Sequence, residues 1–154
     1  MKIENYKLKI CSNKGFTLME VLLAMVVVTI LAGFSIPVYR YFQTQNYLNI
    51  VRDEIVHSFR RAQILSQAME DDISWGVDVR VGQITLFKGT SYASRDGNFD
   101  EVYDFSNNIS FSGLGEIVFE KFTGEPNVTG SVTATSVLGD SVVVTVNGKG
   151  MVEY

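Results

Sequence analysis

From Leu18 to Val38 the chain reads LMEVLLAMVVVTILAGFSIPV, and Glu20 is its only charged side chain. The 18 residues from Val21 to Val38 carry no charge at all. As a helix they span roughly 27 Å at about 1.5 Å per residue. That nearly matches a bilayer hydrocarbon core of about 30 Å. A membrane-spanning helix is therefore expected, and Glu20 is its anomaly. A carboxylate in hydrocarbon is costly unless something pairs with it. A simple uncleaved anchor has no use for the charge. A secretory signal cleaved near Ala32 fits no better, because small residues are preferred on both sides of the middle one and Ile30-Leu31-Ala32 has bulky Ile30 on one side.

The residues ahead of the run suggest what meets the charge. Lys14-Gly15-Phe16-Thr17-Leu18-Met19-Glu20 resembles the processing site of type IV prepilins and pseudopilins. The resemblance implies that a prepilin peptidase cuts after Gly15 and that the new amine of Phe16 is methylated. It implies that Glu20, then the fifth residue, pairs with such an amine and sets register during filament assembly. Gly33 and Pro37 lie four apart. Pro37 cannot donate to the carbonyl of residue 33, so a kink or soft spot is expected there. Pilins often carry a proline at this depth, which supports that reading.

Charge follows the same division. Lys2, Lys7, Lys9 and Lys14 against Glu4 give residues 1–15 a balance of +3. Removing them from a chain of net charge −4 leaves −7. A basic leader before an apolar stretch stays cytoplasmic during insertion. The expected location is the bacterial inner membrane, single-pass, with the head outside the cytoplasm, and then the filament. The lone cysteine, Cys11, falls in the leader, so the mature chain has no disulfide to staple its loops.

Beyond Pro37 the pattern becomes amphipathic. Leu48, Val51, Ile55, Phe59, Ala62, Leu65 and Met69 recur at spacings of three and four, one stripe of a helix. One helix from about Thr17 to about Met69 is expected. Tyr39, Tyr41, Phe42 and Tyr47 cluster past the apolar run, where aromatic residues suit either a membrane interface or packing between subunits. His57 is the only histidine, so a metal or acid–base role has no second imidazole to support it.

From Ile73 the period shifts towards two, with β-branched and aromatic residues. Strands are expected near 73–80, 83–87, 101–105, 116–122, 131–136, 141–146 and 151–153. In VVVTVNGKGMVEY, Asn147-Gly148 is a hairpin signal favouring positive φ at the turn. The expected fold class is α+β: a long N-terminal helix packed on a C-terminal antiparallel head of one sheet or two small ones. Its parts are a leader at 1–15, a transmembrane and filament-core helix at 16–38, an amphipathic stem at 39–72 and a β-rich head at 73–154. RRAQILSQAMEDDISWGVDV, ITLFKG, IVFEKFTGEPN and the closing hairpin are similar to H-type minor pseudopilins of type II secretion and their FimT-like relatives.

Few motifs carry chemistry. Asp96, Asn98 and Asp100 place oxygens at alternate positions, as the first part of a calcium loop does. The sixth and twelfth positions would be Glu101 and Asn107, so the segment is not an EF-hand, and a solvated turn between strands is the simpler account. Some pseudopilins bind calcium in a head loop, which keeps calcium as the one candidate cofactor. Asn108-Ile-Ser110 and Asn127-Val-Thr129 fit a glycosylation sequon that often occurs by chance. Trp75 suits core or sheet packing better than a ligand platform. No catalytic constellation, phosphate loop or zinc spacing is present, so an enzyme is not expected.

The resemblance implies a structural subunit, a minor pseudopilin of a type II secretion system or a minor pilin of a type IV pilus. Its partners would be other pilin or pseudopilin subunits, the prepilin peptidase, the inner-membrane assembly platform and membrane lipid. The alternative is a minor pilin that binds DNA or another ligand in a pilus or competence system. The charge of −7, with Lys149 the only cation in the closing hairpin, argues against nucleic acid.

Overall fold

The computed structural model describes residues 15–68 and 72–154. These fall into two compact units, one ending at Arg40 and one spanning Tyr41–Tyr154. The fold is a long N-terminal helix followed by an antiparallel β head, the expected α+β architecture. Helix α1 runs Leu18–Gln67 and its helical assignment continues through Pro37. The leader, apart from Gly15, and Met69 of the apolar stripe lie outside the described residues.

In the head unit, the stripe on α1 faces inward as its spacing demands. Leu48, Val51, Ile55, Phe59 and Ala62 are fully buried and Leu65 packs partly against them. Val56, Ser58 and Ser66 widen the buried face. Tyr47 leaves the aromatic cluster and joins this core, while Tyr39, Tyr41 and Phe42 stay exposed. The Tyr47 hydroxyl accepts the N–H of Ser106 at 2.6 Å.

Eight strands follow: β1 Trp75–Arg80, β2 Gln83–Lys88, β3 Glu101–Asp104, β4 Ile109–Gly113, β5 Glu116–Phe119, β6 Gly130–Ser136, β7 Ser141–Val146 and β8 Val152–Glu153. They form two four-stranded sheets, ordered β3-β2-β1-β5 and β4-β6-β7-β8, with every pairing antiparallel. Alternation places Val77, Ile84, Leu86, Ile117 and Phe119 of the first sheet and Ile109, Val132, Ala134, Val144 and Val146 of the second in one core with α1. Trp75 belongs to that core.

Three sequence expectations need correction. Strand β4 lies outside the expected set, because its sequence ISFSG is short and three of its five residues are serine or glycine. Ile109 and Phe111 nonetheless pair opposite Ser136 and Ala134. The strand expected to reach residue 122 stops at Phe119, because the following loop is drawn onto the end of α1. The closing turn takes positive φ at Gly150, not at Asn147 or Gly148. Asn147 instead caps the loop: its Oδ1 accepts the N–H groups of Lys149 and Met151 at 2.9 and 3.1 Å.

Polar groups near the end of α1 tie it to the neighbouring loops. The Ser66 hydroxyl donates to the Phe119 carbonyl at 3.0 Å and accepts the Trp75 N–H at 3.0 Å. Gln63 Nε2 donates to the carbonyls of Gly124 and Lys149, and Gln67 Nε2 to that of Thr123. These amides lie so close to Gly124 and Gly150, both at positive φ, that a Cβ at either glycine would collide with them.

The other face of the first sheet is covered by residues 89–100. The Tyr92 ring meets Phe87 edge-on at 5.6 Å and lies under the guanidinium groups of Arg80 and Arg95, 4.2 and 3.7 Å from its centroid. Glu116 accepts the Tyr92 N–H at 2.9 Å. Asp78, beneath this loop, is 2.6 Å from Arg80 Nε. Burial pushes the Asp78 carboxyl above its ordinary value, against the opposing pull of Arg80.

Candidate processing and assembly site

The site is contiguous in the chain. Gly15, Phe16 and Thr17 lie outside helix and are exposed, so the Gly15–Phe16 bond is presented in irregular backbone. Among the described residues no atom lies within 4 Å of a Cβ built on Gly15, so their packing does not call for glycine there.

Helix α1 starts at Leu18 because Thr17 caps it. The Thr17 hydroxyl accepts the Glu20 N–H at 3.2 Å, and the Thr17 carbonyl accepts the first backbone bonds from Glu20 and Val21 at 3.1 and 3.2 Å. This makes Thr17 the N-cap and Glu20 the third helical residue, the T-x-x-E spacing of a capping box. Phe16 precedes the cap and Val21 is the fourth helical residue, and both line one shallow apolar depression with Ala24, Met25 and Val28. That is the placement of a hydrophobic staple. The sequence reading missed both devices, although T-x-x-E and the flanking Phe16 and Val21 were their signal.

Glu20 is thus placed where the helix end favours a carboxylate, since unpaired N–H groups leave partial positive charge there. A free amine at Phe16 would be disfavoured by that same field, and Glu20 is the one carboxylate in the segment able to offset it. The rest of the apolar run has no such feature. Thr29 and Ser35 return their hydroxyls to carbonyls one turn back. An 18-residue window in α1 has a mean hydropathy of 2.6 and none of it is buried. Gly33 has nothing within 4 Å of a built Cβ.

The other candidate residues lie in the head. Asp96 accepts the Asn98 N–H and Nδ2 at 3.1 and 2.9 Å, and Asp100 accepts Arg95 Nε at 2.7 Å. Asp96 Oδ1 and Asp100 Oδ2 are thus engaged by protein donors, while Asp100 Oδ1 is buried without one. Among the described residues no three His, Cys, Asp or Glu side chains converge to hold a metal ion. His57 is exposed, with Nδ1 3.9 Å from Glu54. Asn127 Oδ1 accepts the Val118 N–H at 3.0 Å, so the second sequon asparagine serves the fold.

A family model described as the prokaryotic N-terminal methylation motif matches residues 10–36. The match indicates a type IV pilin-like protein, and with it processing by a prepilin peptidase and assembly with other pilin subunits. Such proteins are structural rather than catalytic. The motif and the apolar helix together fit an inner-membrane-anchored pilin. No solved structure matches the chain.

Proposed function

We propose that this chain is a structural subunit of a pilin-like filament, acting as a minor pseudopilin of type II secretion or as a minor pilin. The peptidase cuts after Gly15 and the amine of Phe16 is methylated. Glu20 then pairs with the amine of Phe16, its own or that of a preceding subunit. The pair offsets the carboxylate's loss of hydration and fixes axial register, while the exposed apolar helices pack by shape. Gly33 and Pro37 supply a point where the packed helix can bend.

One observation carries this reading. Within the methylation-motif match, an exposed Gly15–Phe16 bond immediately precedes a helix whose first turn holds the only carboxylate of the apolar run.

Two variants test the charge. Glu20→Val should insert and be cleaved but lose at least tenfold in filament incorporation, measured by shearing and quantifying assembled subunit. Glu20→Gln keeps a side chain suited to the capping box while removing the charge, and should fail in the same way. Normal incorporation of Glu20→Gln would assign Glu20 to helix capping alone.

A further inference from the structure

The charge-free run from Val21 to Val38 has two unlike ends. Glu20 precedes it, and Tyr39, Arg40, Tyr41 and Phe42 follow it directly. Glu20 and Tyr39 are 19 residues apart on α1, roughly 28 Å at about 1.5 Å per residue. A bilayer's hydrocarbon core is about 30 Å thick. A single crossing by α1 therefore brings a carboxylate to one boundary and an aromatic run to the other.

The aromatic run has the character of a belt and not of a packing seam. Successive helical residues turn by about 100°, so the side chains of residues 39–42 point to four sides of α1. A seam between helices repeats on one side at spacings of three and four. Here only Tyr39 and Phe42 share such a spacing. None of the three rings belongs to the head core: Tyr39, Tyr41 and Phe42 are 69%, 51% and 61% exposed, whereas Tyr47 packs against that core. Tyr39 and Tyr41 each join an apolar ring to a hydroxyl, the combination that favours the layer where headgroups meet acyl chains. Arg40 is the only basic side chain between Lys14 and Arg52. A guanidinium complements lipid phosphates and is costly inside a dry contact between apolar helices.

We infer that Tyr39, Tyr41 and Phe42, with Arg40 among them, dock in the headgroup layer of a bilayer and thereby hold Glu20 in the headgroup layer of the opposite leaflet in the unassembled chain. The inference rests on the membrane-anchored reading of α1 and not on filament assembly. Sliding α1 one way draws Arg40 and the tyrosine hydroxyls into hydrocarbon, and sliding it the other way draws in Glu20, so both displacements are opposed. Held at the boundary, the Glu20 carboxylate keeps its water. Its loss of hydration then falls on transfer into a packed bundle, not on insertion.

Depth-dependent fluorescence quenching of the full chain tests this. The chain is reconstituted in vesicles of phosphatidylethanolamine and phosphatidylglycerol whose acyl chains carry bromine at a chosen depth. Trp75 is the only tryptophan and is buried in the head, so the emission of the wild-type chain in the same vesicles is subtracted. Tyr41→Trp should be quenched most by bromine nearest the headgroups. Ile30→Trp, near the middle of the charge-free run, should be quenched most by bromine near the acyl ends. Replacing Tyr39, Tyr41 and Phe42 together with serine should shift the Ile30→Trp maximum away from the acyl ends. Quenching of Tyr41→Trp that is absent, or greatest at the acyl ends, beside a deep Ile30→Trp overturns the belt and leaves the anchored reading standing. An Ile30→Trp maximum that the triple serine variant does not move also overturns it, and assigns the aromatic residues to contacts between subunits. An Ile30→Trp that no brominated lipid quenches removes the anchored reading, and the belt goes with it.

Discussion

The two compact units use apolar residues in opposite ways. Up to Arg40, the described apolar side chains are exposed in the isolated chain. From Tyr41 onward the chain has a fully buried core, with Phe59, Phe87 and Phe119 its largest side chains. The head carries its solvent-excluding partners within itself, whereas the first unit must find them in lipid or neighbouring helices. Substitutions in the head should therefore register as stability, and those in the first unit as assembly.

Phe59→Ala against Val27→Ala is the widest test of that separation. Phe59 sits at the centre of the core, and its truncation should cost about 3–5 kcal/mol. Val27 is exposed, and its truncation should shift head stability by no more than about 0.5 kcal/mol. Denaturant unfolding of the detergent-solubilised full chain, followed by Trp75 fluorescence, reads both. Comparable losses would break the comparison.

Ser66→Ala sharpens it at the polar end of the stem. It leaves the Phe119 carbonyl and the Trp75 N–H without their buried partner, at a cost of about 1–3 kcal/mol. The same unfolding curves report it. A neutral result would mean that the clamp around Ser66 is not what holds the β5 loop.

Asp78→Asn is the smallest effect. Burial raises the Asp78 carboxyl in the folded state, so the native chain holds that proton more tightly than the unfolded one. Its contribution to stability is greatest below the ordinary value of 3.8 and is lost as pH rises through the folded value. Asn should flatten the curve of stability against pH across that window. An unchanged slope would remove Asp78 as its source.

Legibility in the sequence also divides between the units. The candidate site was readable because its parts are contiguous: Gly15, Phe16 and Glu20 lie within six residues, and a bilayer-length run needs no tertiary knowledge. The stem stripe was readable because α1 keeps one period from Leu48 to Ala62. The head was readable only where local pattern and tertiary pairing agree, as in β6 and β7. Strand β4 depends on pairing with β6 some 25 residues away in sequence, as Ser110 opposite Thr135 shows. Phe122 ended the expected strand early because Ser66, far back in the chain, takes its N–H. The Arg80–Tyr92–Arg95 stack joins residues from β1 and a loop, a partnership that no spacing in the sequence announces. The Thr17 cap on the Glu20 N–H is local, and its T-x-x-E spacing is legible in the sequence.

The most direct measurement is the intact mass of the chain coexpressed with a prepilin peptidase, beside a Gly15→Asp control. The account predicts a product beginning at Phe16 and carrying one added methyl group, with the control uncut. A wild-type chain of full, unmodified mass would contradict it and leave a membrane-anchored β head with no role in a filament for Glu20.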